Sequence, residues 1–150
     1  MILGYMTGRS IPDHALRIGA QANLRSGTVI YGGTHIGVGL ETGHNVVIRE
    51  ENVIGDHVGI WGNTVIDYGC TIGNNVKIHT NCYIAQFTVI EDDVFIAPAS
   101  RLPMIPIHCA PNVLRTGDQP SSAVRGSGSM SPFSPASPSV RMRSSAPAAW

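Results

Sequence analysis

The sequence predicts an all-β fold, a parallel β-helix of short strands, over residues 18–102. Ile or Leu returns every sixth residue from Ile18 to Leu102, with one lapse at Thr42. Six residues are not a multiple of the 3.6-residue helical period but are three times the strand period, so in an extended chain these side chains share one face. Glycine recurs every eighteen residues, each time directly after an Ile, at Gly19, Gly37, Gly55 and Gly73. Three hexads therefore form one triangular coil, and a fixed period of this kind is the signature of a solenoid.

A second inward position lies four residues after each of these Ile or Leu residues. It carries a small or β-branched side chain in most hexads, and Leu40 and Asn52 are the exceptions. Coils stacked at roughly the 4.8 Å spacing between strands would place residues eighteen apart above one another. Ordering six residues costs about 9 kcal/mol while burying one Ile returns about 1.5–3 kcal/mol, so each coil depends on stacking against its neighbours.

Two segments flank the repeat. Residues 1–17 show no sustained period and are predicted to form an N-terminal cap, because an open solenoid end exposes apolar side chains and unpaired strand edges. Residues 103–150 lose the hexad and become rich in Ser and Pro. This composition predicts a low-complexity C-terminal tail, disordered or irregular.

The tail has a second interpretation. A Ser codon of the TCN type, read one base upstream, becomes NTC and encodes Phe, Leu, Ile or Val, and a Phe codon gives the same result. Five such residues are spaced by six: Ser121, Ser127, Phe133, Ser139 and Ser145. One allowed choice of codons for residues 131–150, read one base back, restores hexads such as V-T-I-G-E-N. The tail is therefore interpreted as an out-of-frame reading of missing coils, which resequencing of the gene would test.

Composition and charge narrow the functional class. The 150-residue chain has ten basic and ten acidic residues and no basic cluster, so nothing favours a nucleic acid or a membrane as a partner. No signal-like segment and no apolar stretch of 18 residues is present, so a soluble, cytoplasmic protein is expected. Cys70 and Cys82 occupy inward positions and Cys109 follows the repeat. Without a CxxC pair, buried packing thiols are expected.

Three strings, IGDHVGI, IGNNVKIHTNCYIA and IEDDVFIAP, resemble the hexapeptide-repeat acyltransferases. The resemblance covers about the first hundred residues and is greatest to sugar N- and O-acetyltransferases of nucleotide-sugar and polysaccharide biosynthesis. It implies a left-handed parallel β-helix, acetyl-CoA or another acyl-CoA as co-substrate, and a sugar or nucleotide-sugar acceptor. It also implies a homotrimer with active sites between subunits. The CoA-binding coils of such enzymes usually lie C-terminal to this segment, so impaired activity is expected of this chain.

His79, Asn81 and Trp61 are the candidate site residues. Acyl transfer needs a group that removes the acceptor proton and a donor to the developing oxyanion, and His is the usual base. An eighteen-residue coil stacks His79 on Trp61, the candidate substrate-binding residue. In the resembled family, the segment matching KIHTNCYIA precedes the active-site cleft. This implies that Asn81 hydrogen-bonds the acceptor or thioester and that His79 orients it or acts as base. The alternative is that both are solvated face residues.

Three further histidines raise a different chemistry. His35, His44 and His57 lie in different coils and at different hexad positions, so surface imidazoles are expected. They nevertheless leave open a γ-class carbonic-anhydrase-like enzyme, which shares the solenoid and binds zinc through His. That family's Gly-His pair followed by a His five residues later is absent, because Gly43–His44 is followed by Arg49. No metal is therefore expected.

The remaining polar features carry weaker signals. The acidic run at residues 91–93 is interpreted as a solvated corner. His108 lies at about the distance of a family loop that bears a catalytic residue, but its surroundings differ and it is assigned no role. A non-catalytic solenoid remnant is the last alternative, and its open end would make it prone to aggregate.

Overall fold

The computed structural model describes residues 1–102 and 113–115, so His108, Cys109 and all but three residues of the predicted tail lie outside the described residues. Within the described part, the regular secondary structure is entirely β, which confirms the predicted all-β class. The strands are β1 Ile2–Tyr5, β2 Arg17–Ile18, β3 Val29–Tyr31, β4 His35–Ile36, β5 Glu41–Thr42, β6 Val47–Ile48, β7 Val53–Ile54, β8 Gly59–Ile60, β9 Val65–Ile66, β10 Thr71–Ile72, β11 Lys77–Ile78, β12 Tyr83–Ile84, β13 Val89–Ile90, β14 Phe95–Ile96, β15 Arg101–Leu102 and β16 Val113–Leu114.

The strands form three parallel sheets, which are the walls of a triangular solenoid. The first sheet has the order β1-β3-β6-β9-β12-β15, the second β2-β4-β7-β10-β13-β16, and the third β5-β8-β11-β14. Between β3 and β15, residues eighteen apart are in register on the first sheet, as in the pairs Ile30 with Ile48 and Ile48 with Ile66. This register confirms the predicted parallel β-helix with an eighteen-residue coil.

The core is a narrow shaft filled by the two inward positions of each hexad. The Ile residues of the hexad are fully buried at positions such as Ile48, Ile66 and Ile78. The apparent exceptions also point inward, since Thr42, Leu40 and Asn52 are buried. Asn52 is satisfied there because its amide donates to the Arg49 carbonyl oxygen at 2.8 Å and accepts from the Cys70 N–H at 2.7 Å. The hexad therefore continues through Thr42 without a break.

Each corner of the coil turns through one residue with left-handed backbone. From residue 21 to residue 99, one residue in each hexad has a positive φ. It is the residue three positions after the Ile or Leu, or after Thr42 in the hexad where Thr replaces them. Gly takes this conformation freely and Asn or Asp tolerates it, whereas other L-residues pay about 1–2 kcal/mol. The non-Gly residues at these corners are Gln21, Asn45, Glu51, His57, Asn63, Asn75, Asn81, Phe87, Asp93 and Ala99.

The glycines that recur every eighteen residues serve a different purpose. A Cβ built on Gly37 would lie 2.8 Å from the carbonyl carbon of Gly55, and one on Gly19 would lie 2.4 Å from the Gly37 carbonyl oxygen. Only a residue without a side chain allows backbones at this corner to stack so closely.

The segment before the repeat packs against it. β1 pairs in parallel with β3 at the start of the first sheet, and Ile11 is buried. At the other end, ten residues separate β15 from β16, where four separate successive strands in a regular coil, and β16 pairs with β13. No helix long and apolar enough to span a membrane occurs in residues 1–102 or 113–115.

Candidate functional site

Two of the candidate residues meet where the chain passes from the third sheet to the first, at the segments 61–64, 79–82 and 97–100, here called the third–first corner. The rings of Trp61 and His79 are stacked, with centroids 5.7 Å apart and planes inclined by 9°. Phe95 contacts the other side of His79 edge-on at 6.3 Å, and Lys77 Nζ lies 5.9 Å from the Trp61 ring centroid. The stack follows from the coil length, because residues 61 and 79 differ by eighteen.

The His79 ring is fixed in orientation by its own backbone. The Thr80 N–H donates to His79 Nδ1 at 2.9 Å. Since an amide N–H can only donate, Nδ1 carries no proton, and the neutral ring has its proton on Nε2. The buried hydroxyl of Thr64 donates to the His79 carbonyl oxygen at 2.8 Å, which anchors this backbone to the core. The ring therefore offers an N–H donor, not a lone pair, at Nε2.

Asn81 occupies the left-handed position of the same corner. Its φ is 59°, and its backbone N–H donates to the Gly62 carbonyl oxygen at 3.0 Å. Asn63 has the same conformation one coil earlier, with φ 56°. Asn81 thus has a structural reason to be Asn, and its exposed side chain remains available to a ligand.

A groove of about 470 Å³ opens beside Asn81 on the outer face of the first sheet. Its volume is in the range of small-ligand sites. The lining residues come from the third–first corner and from the outward positions of β9, β12 and β15: Asn63, Val65, Asn81, Cys82, Tyr83 and Arg101. The structure therefore brings Asn81 to a groove. It places Trp61 and His79 at the same corner, although neither lines the groove.

The other predicted features do not join the Trp61–His79 stack, although His44 lies one coil before Gly62, where the chain also passes from the third sheet to the first. His44 Nδ1 is 2.8 Å from Ser26 Oγ, His57 sits at a left-handed corner position, and His35 lies beside Arg17. In the described part of a single chain, no three His, Cys, Asp or Glu side chains come together in a way that could hold a metal ion. Cys70 and Cys82 are buried, and burial raises the pKa of Cys70 to about 11.

Sequence reasoning missed a buried ionic cluster where the chain passes from the first sheet to the second. The Glu50 side chain is 0% exposed, and Arg49 Nη2 and Arg9 Nη1 lie 3.0 and 3.3 Å from Glu50 Oε1. Arg9 reaches the cluster from the N-terminal segment, and its guanidinium lies 3.8 Å from the Tyr68 ring centroid. The cluster therefore ties the N-terminal segment to the solenoid.

Asp67 extends this cluster toward the groove. Asp67 Oδ1 accepts from Arg49 Nη1 at 3.0 Å and from the Tyr68 N–H at 2.9 Å, while Oδ2 accepts from Tyr83 Oη at 2.8 Å. The bond to Asp67, together with partial burial, raises the pKa of the Tyr83 phenol. The sequence offers one weak signal for the cluster, an Arg followed by two Glu at a corner where the inward residue, Asn52, is polar.

Burial raises the pKa of Glu50, but hydrogen bonds outweigh it. The donors are its own backbone N–H, Thr7 and Arg49, and together they hold the pKa of this carboxyl below its ordinary value. Glu50 is therefore charged at neutral pH, which is expected of a buried carboxylate only when it is paired.

Comparison with known families adds one match. The family described as "Bacterial transferase hexapeptide (six repeats)" matches residues 53–86 and 69–103. The two matches overlap, cover about a third of the chain and include Trp61, His79 and Asn81. They support the left-handed winding expected of the solenoid. No curated protein matches the chain in sequence.

Proposed function

We propose, from the premise that the chain is a hexapeptide-repeat β-helix protein, that it is an acyltransferase. It transfers an acyl group from acetyl-CoA or another acyl-CoA to an amino or hydroxyl group of a sugar or nucleotide-sugar. One observation carries the proposal: the transferase-family match at residues 53–103 spans the coils that hold the Trp61–His79 stack and most of the groove.

The reaction defines what the site must supply. The acceptor nitrogen or oxygen attacks the thioester carbonyl carbon, the C–S bond breaks, and the acceptor proton is transferred to the departing CoA thiolate or to solvent. Orienting the two substrates and donating hydrogen bonds to the oxyanion are the largest contributions that a protein can make to such a step.

The geometry of His79 favours an orienting role over that of a base. A base would take the acceptor proton at Nε2, and this requires the neutral tautomer with its proton on Nδ1. That proton would face the Thr80 N–H, 2.9 Å away, and the backbone bond would be lost. In the tautomer that keeps the bond, Nε2–H donates to an acceptor or thioester oxygen, and the stack on Trp61 fixes the ring plane.

Asn81 and Trp61 have complementary roles in this proposal. The Asn81 amide, beside the groove, hydrogen-bonds the acceptor or the thioester oxygen. Trp61, 37% exposed, offers an indole surface for the substrate at the same corner. An active site between the subunits of a homotrimer would complete the constellation with residues of a neighbouring copy.

The test is release of free thiol from acetyl-CoA by the full-length chain, measured with a panel of aminosugars and nucleotide-sugars. We expect His79→Ala to abolish most of the rate and His79→Gln, which keeps an N–H donor, to recover part of it. The pH profile of His79→Gln should keep the shape of the parent profile, because His79 is not the base. A version read one base upstream beyond Leu102 should be faster.

His57→Asn is the matched control. It removes an imidazole from a different corner while keeping a residue that tolerates φ 55°. We expect it to leave thiol release unchanged. Absence of thiol release with every acceptor in both versions would reject the acyltransferase. Equal losses in His57→Asn and His79→Ala would reject the assigned site.

A further inference from the structure

Tyr83 connects the groove to the buried ionic cluster. The residue lines the groove, yet its hydroxyl donates to Asp67 Oδ2 at 2.8 Å, at the opposite edge of the first sheet. Its side chain therefore lies across the outer face of the sheet, and its hydroxyl end is held by the hydrogen bond to Asp67. Tyr83 remains 39% exposed, so this face is accessible in the single chain.

The position of the Asp67 carboxylate is fixed by its own hydrogen bonds. Its two oxygens accept three hydrogen bonds, from Arg49, the Tyr68 N–H and Tyr83, and the residue is 7% exposed. Arg49 is in turn paired with the fully buried Glu50. The carboxylate is thus a fixed anchor, and the position of the Tyr83 ring depends on it.

The residues around the ring indicate the chemistry of the ligand. Asn63, Asn81 and Arg101 supply amide and guanidinium groups, which suit the hydroxyls of a sugar ring, and an aromatic ring suits its apolar face. Among the lining residues that lie in the described part of the chain, none is a carboxylate and Arg101 alone is a cation. This charge favours a sugar with an anionic substituent.

We propose that this groove binds the sugar acceptor, with Tyr83 as its specificity-determining wall and Asp67 as a positioning residue that acts through Tyr83. The identity of the ligand as the acceptor rests on the proposed function. The binding site itself is independent of acyl transfer.

The test is calorimetric titration of the full-length chain with glucosamine 1-phosphate in the absence of acyl-CoA. We expect Tyr83→Ala to raise the Kd about tenfold and Asp67→Ala to raise it about fivefold. In the Tyr83→Ala background, Asp67→Ala should change the Kd by less than about twofold, because its only route to the ligand has been removed. Glucosamine without the phosphate should bind more weakly than glucosamine 1-phosphate.

Asp67→Asn is the conservative variant. Oδ1 of the new amide still accepts from Arg49 and from the Tyr68 N–H, which directs Nδ2 toward the Tyr83 oxygen as a donor. The ring is then still held, and we expect a Kd within about twofold of the parent. Tyr5→Phe removes a hydroxyl from an exposed Tyr of the N-terminal segment, outside the groove lining, and should leave the Kd unchanged.

The outcomes separate this inference from the proposed function. Absence of glucosamine 1-phosphate binding, or an Asp67→Ala effect of equal size with and without Tyr83, overturns the inference even where thiol release is observed. If Asp67→Ala acts only by disrupting the fold, it weakens binding equally in the parent and in the Tyr83→Ala background, which is the second of these results. Binding that depends on Tyr83, in a protein that never releases thiol, supports the groove and rejects acyl transfer.

Discussion

Asn81 combines a backbone role and a proposed chemical role, and three substitutions separate them. With φ at 59°, Ala at this position pays the left-handed cost that Asn largely avoids, so we expect Asn81→Ala to lose about 1 kcal/mol of unfolding free energy. For a domain of about a hundred residues this corresponds to a fall in Tm of about 4–8 °C. Asn81→Gly avoids the strain but gains freedom in the unfolded chain, and should fall between Asn81→Ala and the parent.

Asn81→Asp completes the set because Asp tolerates the same backbone and removes the amide N–H. We expect Asn81→Asp and Asn81→Gly to lose thiol release while keeping most of the thermal stability, and Asn81→Ala to lose both. Thermal unfolding followed by circular dichroism and the thiol assay give the two readouts. Equal melting temperatures for Asn81→Ala and Asn81→Gly would refute the backbone argument, and unimpaired turnover in Asn81→Asp would refute the chemical one.

The remaining predictions concern the shaft, the ionic cluster, the thiols and one strained corner. Ile78→Ala, at a fully buried position, should cost about 2–5 kcal/mol, measured as a fall in the urea midpoint. Because the pKa of Glu50 is lowered in the folded state, its charge stabilises the fold above the ordinary value of 4.5 and this contribution is lost as the pH falls through the folded pKa. The stability gap between the parent and Glu50→Gln should accordingly shrink below about pH 4.5, and a gap constant with pH would contradict this. With its pKa at about 11, Cys70 should react with iodoacetamide at neutral pH far more slowly in the folded chain than in urea, and equal rates would contradict its burial. Ala99 is exposed at φ 58°, so Ala99→Asn should raise the Tm, and a fall would contradict the assigned strain.

The fold could be predicted because its information is local and repeated. Each hexad repeats the same two inward positions, and coils register on one another through residues eighteen apart. The same arithmetic predicts that Trp61 and His79 meet, and the rings do stack. The left-handed conformation can be predicted from the sequence at the corners that carry Gly or Asn. At Phe87 and Ala99 the residue type gives no such signal. At those corners the backbone ladder imposes a conformation that the residue does not prefer.

The ionic cluster could not be predicted for the opposite reason. It depends on Arg9, which belongs to a segment without a period, and on side chains that reach from one coil to the next. Position within the hexad does not determine how far such side chains extend. The orientation of the His79 ring was equally out of reach, because it depends on one backbone N–H at Thr80.

The exact stacking of residues eighteen apart also restricts how a chain of this kind can change its length. Removing one residue from a wall would exchange the inward and outward positions of the strands that follow. Ile side chains would then face solvent, and a side chain such as that of Lys77 or Glu41 would face the core. Removing or adding eighteen residues would instead join equivalent positions of two coils and leave the later walls unchanged. Insertions and deletions should therefore be tolerated when they add or remove a complete eighteen-residue coil. Single-residue changes should be confined to bulges at the corners.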